Sequence, residues 1–267
     1  MKRKTFLTCI DMPLKRQMEV EMKGKSRRTI FLMIQFVLYG MFLTLDILGR
    51  NTTLSNYIKF AAIVLCLIYI WTNEHKSSSK QNLYLCYAYV FTVISDLFIL
   101  LMDYYFYGVL TFIVAQQLYG MRIAALYNRE EVIRSTGIFK KASFRLLCQM
   151  ALSAFVCILL WLAEVGIDPL LAASIFYFIS ICTNVAGSMK LLTVSRNKKE
   201  VLYFTAGMVL FLLCDINVGL FNMSGFLSVG PAYTTIYSVS SILMWTFYAP
   251  SQVLIALSGD IYQQNTQ

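Results

Sequence analysis

Residues 82–102, NLYLCYAYVFTVISDLFILLM, and residues 201–221, VLYFTAGMVLFLLCDINVGLF, are each apolar over the length that a helix needs to cross a hydrocarbon core of about 30 Å. Each also carries an aspartate where such a helix should least accept one. An ionised acid at the centre of an inserted helix costs roughly 2.5 to 3.5 kcal/mol on insertion scales, so these residues normally face a bundle interior or a water-filled cavity. Asp96 and Asp215 both lie 14 residues past the start of their stretch, and each follows a small residue, Ser95 or Cys214. They are expected at matching depth.

Working outward, the two stretches belong to a set of eight, the others being Ile30–Leu48, Tyr57–Asn73, Tyr107–Tyr127, Ser143–Glu164, Asp168–Lys190 and Ala232–Leu257. Over 267 residues, 58% are apolar and 14% charged, and the mean hydropathy is +0.63. Soluble domains do not have this composition. The predicted fold is an all-α polytopic membrane bundle of eight transmembrane helices, embedded in lipid, with the plasma membrane as its expected location.

Lys and Arg test that segmentation, because they accumulate on the cytoplasmic loops. Nine precede the first stretch (Lys2, Arg3, Lys4, Lys15, Arg16, Lys23, Lys25, Arg27, Arg28). Lys76 and Lys80 follow the second, Arg129, Arg134, Lys140 and Lys141 the fourth, and Arg196, Lys198 and Lys199 the sixth. The opposite side holds only Arg50, while Lys59, Arg122, Arg145 and Lys190 fall within stretches. Both termini are therefore expected in the cytoplasm. The chain divides into a basic cytoplasmic leader (1–29), a transmembrane domain (30–257) and a short cytoplasmic tail (258–267). Topology accounts for the net charge of +9 without any nucleic-acid role, although residues 2–28 also suit contact with anionic lipid.

A long polar leader before a full-length span, with no small-residue cleavage site, leaves no cleavable signal peptide to expect. Seven cysteines (Cys9, Cys66, Cys86, Cys148, Cys157, Cys182, Cys214) fall in spans or in the leader and offer neither a disulfide framework nor a CxxC metal spacing. His75, the only histidine, is expected in a cytoplasmic loop, so no His-ligated metal site is expected. Asn51-Thr52-Thr53 and Asn222-Met223-Ser224 match the glycosylation pattern, but their loops are short and hug the membrane.

Halving the chain shows a faint repeat: Ser95-Asp96 maps onto Cys214-Asp215, and Asp46 onto Glu164. Four helices used twice would run parallel across the membrane, with function between the halves. Helical spacing then groups polar residues on single faces. The third helix gives Tyr89, Thr92, Asp96 and Asp103; the fourth Gly108, Phe112, Gln116 and Tyr119; the seventh Thr205, Asp215 and Asn222. The eighth gives Tyr233, Tyr237, Ser241, Trp245, Tyr248 and Gln252. Gln35, Tyr39 and Asp46 on the first helix, Gln149, Ser153 and Glu164 on the fifth, and Tyr177, Asn184 and Ser188 on the sixth complete a set able to line a polar cavity. Many would serve equally as hydrogen bonds between helices, and the tyrosines near helix ends, Tyr57 and Tyr233 among them, as an interfacial belt. Asp46, Asp103 and Glu164 lie near predicted ends, where a carboxylate is solvated. Arg122 is deep enough to pair with an acid or a phosphate, or to snorkel to the interface.

These residues resemble the lysoplasmalogenase-like, or YhhN, family of multi-pass membrane proteins. The resemblance runs through Ser95-Asp96-Leu97-Phe98-Ile99-Leu100-Leu101 with Gly108, Phe112, Gln116 and Tyr119, through Gly207, Phe211, Cys214-Asp215 and Phe221, and through Tyr248-Ala249-Pro250-Ser251-Gln252. The family usually carries histidine where this chain has Gln116, which removes a group able to exchange a proton near neutral pH.

The resemblance implies hydrolysis of the vinyl ether bond of lysoplasmalogens to a fatty aldehyde and a glycerophospho-base, with a membrane lysophospholipid as substrate. Protonation of carbon calls for a carboxylic acid and water attack for a base, roles that Asp96 and Asp215 would divide. Gln116 and Tyr119 would orient water or the ether oxygen, with Tyr248, Gln252 and Arg122 as further substrate-binding residues. No metal or organic cofactor is implied. Two other readings use the same residues. One is a proton- or cation-coupled transporter, disfavoured because Pro169, Pro231 and Pro250 are expected at or near span ends. The other is a lipid-binding or sensing member that lost catalysis with the histidine.

Overall fold

The computed structural model describes residues 4–74, 80–130, 138–195, 198–225, 230 and 233–264. His75, Lys76, Arg134, Arg196 and Pro231 lie outside the described residues. The described chain is helical, with eight helices: α1 (Lys4–Ile47), α2 (Thr52–Glu74), α3 (Lys80–Leu100), α4 (Tyr105–Glu130), α5 (Ile138–Leu162), α6 (Pro169–Val194), α7 (Lys198–Asn222) and α8 (Tyr233–Gln264). All eight contain a segment long and apolar enough to cross a membrane. The chain is thus an integral, multi-pass helical membrane protein. No break in helix marks residues 29/30 or 257/258, because α1 and α8 run through both points.

Local chemistry sets the ends. Asp168 caps α6, its carboxylate accepting from the Leu171 N–H at 2.7 Å, and Pro169 fills the first turn, where no N–H is needed. Asn51 caps α2 in the same way, accepting from Leu54 N–H at 3.0 Å, so that helix begins at Thr52 rather than at Tyr57. Asn222 donates to the Val218 carbonyl inside α7. Both glycosylation-pattern asparagines therefore hold a helix end. Asn51 and Asp103 adopt left-handed backbone (φ 45 and 57) in the turns after α1 and α3, which short polar side chains tolerate better than others.

Pro250 corrects its sequence placement. It lies inside α8 and inside the Tyr233–Gly259 span, not near an end. Because proline has no N–H, the Thr246 carbonyl one turn earlier loses its helical partner. Helix α8 continues through Pro250, which lies two residues from Tyr248.

Helix contacts close a ring in the order α2, α3, α4, α6, α7, α8 and back to α2. α1 packs outside it, over the seam between α2 and α8, and α5 outside it, over the seam between α4 and α6. Both outer helices are correspondingly exposed. Phe36 and Val37 of α1, and Phe144, Leu147, Phe155, Trp161 and Leu162 of α5, show most of their surface, as side chains do that face lipid. Every helix adjacency has a counterpart with both indices advanced by four: α1/α2 with α5/α6, α2/α3 with α6/α7, α3/α4 with α7/α8, α4/α6 with α8/α2, and α4/α5 with α8/α1.

Glycine sets the closest approaches, since small residues let membrane helices pack by backbone contact. A Cβ on Gly207 of α7 would stand 2.9 Å from the Ser251 carbonyl and 3.0 Å from the Ile255 amide of α8. On Gly108 of α4 it would meet the Ile99 side chain of α3 at 2.3 Å. Beside that contact, the Ser95 hydroxyl donates to the Gly108 carbonyl.

Candidate functional site

The polar stripes turn into the ring. Tyr89, Thr92, Asp96, Gly108, Phe112, Gln116, Tyr119, Tyr177, Asn184, Ser188, Thr205, Tyr248 and Gln252 are all buried, whereas Asp103, Asn222 and Glu164 at the stripe ends are exposed. An unpaired polar group facing lipid costs more than one facing a neighbouring helix, which is the physical reason for this sorting.

Each intramembrane aspartate has a tyrosine. The Tyr248 hydroxyl of α8 donates to Asp96 Oδ2 at 2.7 Å, and the Tyr177 hydroxyl of α6 donates to Asp215 Oδ2 at 2.8 Å. Asp96 is 3% exposed and Asp215 partly buried. Between the two pairs stand Phe112 and Phe211. Phe112 lies 5.7 Å from the Tyr177 ring and 6.4 Å from the Tyr248 ring, while Phe211 lies 5.8 Å from Phe112 and 5.4 Å from Tyr248. The acids thus share one aromatic-walled interior and touch it from different sides.

Gln116 sits beside the second pair. Asn184 Nδ2 donates to its carbonyl and to its Oε1, both at 2.8 Å. Its own Nε2, fully buried, faces the Tyr177 hydroxyl without closing a hydrogen bond.

The remaining expected site residues form a layer nearer the C-terminal end of α4. Tyr119 stands edge-on to Tyr89, whose hydroxyl donates to the Gln252 carbonyl. The Gln252 amide donates to the Ser251 hydroxyl at 3.4 Å. Arg122 does not snorkel. It is fully buried, donates to the Ser258 hydroxyl at 2.8 Å, lies over the Phe204 ring at 4.5 Å and pairs with an equally buried Glu200 at 3.6 Å. The structure therefore brings Asp96 with Tyr248, and Asp215 with Gln116, and sets Tyr119, Gln252 and Arg122 one layer away.

Several members were not singled out from sequence. Tyr177 lies in the sixth-helix stripe but carries no acid or motif of its own. Glu200 follows Lys198 and Lys199 and reads as a loop acid. Asp46, expected to be solvated, is instead paired: Lys59 Nζ lies 2.7 Å from its Oδ2, and the Ser55 hydroxyl donates to its Oδ1. The Lys59 ammonium also sits 4.5 Å from the Trp245 ring centre, and Trp245 packs edge-on against Tyr248 at 5.3 Å. Opposite charge at Lys59 is the signal that one turn-by-turn comparison of neighbouring helices would have found.

Among the described residues no cluster of His, Cys, Asp or Glu is arranged to hold a metal. The profile of the YhhN family matches residues 54–259, which takes in most or all of seven of the eight helices and every residue of the site except Asp46. No curated protein and no solved structure matches the chain.

Proposed function

We propose that this protein, which belongs to the YhhN family, hydrolyses the vinyl ether bond of a single-chain membrane lipid of the lysoplasmalogen type. The observation that carries the reading is the pair of intramembrane carboxylates, each held by a tyrosine hydroxyl across a shared aromatic wall, with an unpartnered amide N–H of Gln116 beside one of them.

The chemistry needs what these groups offer. One carboxylic acid gives its proton to the alkene carbon remote from oxygen, which leaves an oxocarbenium ion stabilised by the ether oxygen. Water adds to the carbon next to oxygen, and the other carboxylate takes the proton it sheds. The resulting hemiacetal collapses when its hydroxyl proton returns to the first carboxylate and the second acid protonates the departing glycerol oxygen. Aldehyde and glycerophospho-base leave with both aspartates restored. In this reading Gln116 Nε2 holds the water oxygen, Tyr248 and Tyr177 hold the carboxylates in orientation, and Phe112 and Phe211 keep the alkenyl chain from bulk water. Tyr119, Gln252 and Arg122 form the wall of the site toward the cytoplasmic ends of the helices, in the topology with both termini in the cytoplasm of a plasma-membrane protein.

The test is fatty-aldehyde release from an alkenyl lysophospholipid by the purified, lipid-reconstituted protein. Wild type releases aldehyde, and Asp96→Asn and Asp215→Asn each lower the rate by on the order of 10² or more. Wild-type turnover from either variant refutes the division of roles. A second reading rests on Gln116, whose amide is tied by Asn184 and cannot exchange a proton: a member that binds lysolipid without cleaving it. Aldehyde release gained only with Gln116→His supports that reading. Transport is the third, to be judged by solute counterflow in proteoliposomes; Pro250 inside α8 leaves the Thr246 carbonyl without its helical partner in mid-span.

A further inference from the structure

Arg145 is the cation that the site has not used. It belongs to the outer helix α5, yet its guanidinium passes through the seam between α4 and α6, over Gly120, where a Cβ would stand 1.3 Å from its Nη1. Its partners are neutral oxygens: Asn184 Oδ1 at 2.9 Å, Gln117 Oε1 at 2.7 Å and the Gln117 carbonyl at 3.2 Å. Where Lys59 pairs with Asp46 and Arg122 with Glu200, this positive charge has no carboxylate against it among the described residues.

That charge dictates how every nearby amide points. Gln117 gives its NH2 to Gln149 Oε1 and Ser180 Oγ, which leaves its Oε1 for Arg145. Asn184 turns its Oδ1 to Arg145, so its NH2 must face Gln116. Gln116 accepts with Oε1, so its NH2 is left facing Tyr177, whose hydroxyl donates to Asp215. Along the branch through Asn184, Gln116 and Tyr177, each donor points the same way, from the guanidinium toward the carboxylate, and aligned hydrogen bonds polarise one another. Among the described residues Asp96 has no such line behind its tyrosine, and Arg122, which like Asp96 lies near Tyr119, is paired with Glu200. Tyr248 is backed by Trp245, Phe112 and Phe211, and the cation beyond Trp245, Lys59, is already matched by Asp46.

We propose that Arg145 is a positioning residue that acts through Asn184 and Gln116 on the Tyr177–Asp215 pair, and that this one-sided wiring makes Asp215 the carboxylate that takes the proton of water and Asp96 the acid that protonates carbon. The assignment of roles rests on the hydrolase reading; the wiring does not. A water held between Gln116 Nε2, Tyr177 and Asp215 completes the line and is the nucleophile.

Two measurements separate the parts. The first needs no turnover: infrared spectra of the reconstituted protein at neutral pH, read for the C=O stretch of a protonated carboxyl. Wild type shows one such band, Asp96→Asn removes it and Asp215→Asn leaves it. Arg145→Gln adds a second band, which the further change Asp215→Asn abolishes, and Arg145→Lys adds none. No band in wild type, a band that Asp215→Asn removes, or an Arg145→Gln spectrum identical to wild type overturns the proposal. A melting curve for each variant establishes that it is folded, and Arg145→Lys covers the case in which Arg145→Gln is not. The second is aldehyde release, where Arg145→Gln lowers kcat by on the order of 10² with KM unchanged and Arg145→Lys restores most of it. A change confined to KM overturns the positioning role. Aldehyde silence in wild type together with the expected bands leaves the wiring standing and removes the hydrolase reading alone.

Discussion

Replacing Glu200 by Gln is expected to unfold the protein at a markedly lower temperature, and removing Arg122 as well is expected to restore most of the loss. The two side chains are wholly buried, and Arg122 Nη2 lies 3.6 Å from Glu200 Oε1. At that separation, with the effective dielectric of about 20 that suits protein sites, the attraction is roughly 4 to 5 kcal/mol. Breaking a buried pair by removing one partner typically costs about 3 to 5 kcal/mol, because the other charge loses a counter-ion. At about 2 to 4 °C per kcal/mol for a chain of this size, Glu200→Gln lowers Tm by about 6 to 20 °C. Hydrophobic replacement of both members is often neutral, so Arg122→Met/Glu200→Met melts close to wild type.

The assay is thermal unfolding of detergent-solubilised protein followed by tryptophan fluorescence, and the same samples report lysolipid binding. Arg122 is already held by Glu200, Ser258 and the Phe204 ring. On the proposed function, the double variant is therefore expected to bind lysolipid as wild type does. Two results refute this reasoning: Glu200→Gln melting with wild type, or a stable double variant that no longer binds the phosphate-bearing lipid. The second would make Arg122 a headgroup anchor, with Glu200 its resting counter-ion.

Helix contacts give three further expectations. Gly207→Ala presses a methyl against the backbone of α8 and is expected to cost about 1 to 3 kcal/mol, more than Gly108→Ala, which meets the movable end of Ile99; paired melting curves check the order. Lys59→Met is expected to lower Tm less than Glu200→Gln does, because Asp46 keeps some solvent and the Ser55 hydroxyl once its lysine is gone. Gly120→Ala displaces the Arg145 guanidinium from its seam and is expected to reproduce the infrared band of Arg145→Gln, whereas Gly187→Ala, whose Cβ would make an ordinary 3.6 Å contact with Ile123, leaves the spectrum unchanged.

The eight spans were legible because membrane insertion reads only length and apolarity, and both are properties of the chain itself. The two aspartates were legible for the converse reason, since each breaks that apolarity at a depth where it must be repaid by a partner. Their partners were not. Tyr177 and Tyr248 look like any tyrosines in a protein rich in them, and only the ring of helices sets one against each acid. Span ends failed where polar side chains work on the helix itself: Asn51 starts α2 five residues before the apolar run does. Arg145 reads as an interfacial residue because Lys140 and Lys141 precede it. Its long side chain instead reaches inward through space that Gly120 leaves open on another helix, and hydropathy along one helix carries no trace of that.

The contact pattern bears on why the two acids differ. Helices α3 and α7 occupy corresponding places when the ring is advanced by four, so Asp96 and Asp215 would be equivalent if a parallel repeat extended to their surroundings. It does not. Asp215 takes its tyrosine from α6, whose counterpart is α2, but Asp96 takes its tyrosine from α8. On α2 the buried polar groups Ser55 and Lys59 both turn to Asp46 of the outer helix α1, while the outer helix α5 sends Arg145 inward with no acid to meet it among the described residues. A symmetric pair of carboxylates would compete for one role, each as ready as the other to hold or release a proton. On the proposed function, hydrolysis of a vinyl ether asks for one protonated and one ionised carboxyl in the same resting site, and the backbone would supply the pairing while the side chains around it supply the difference.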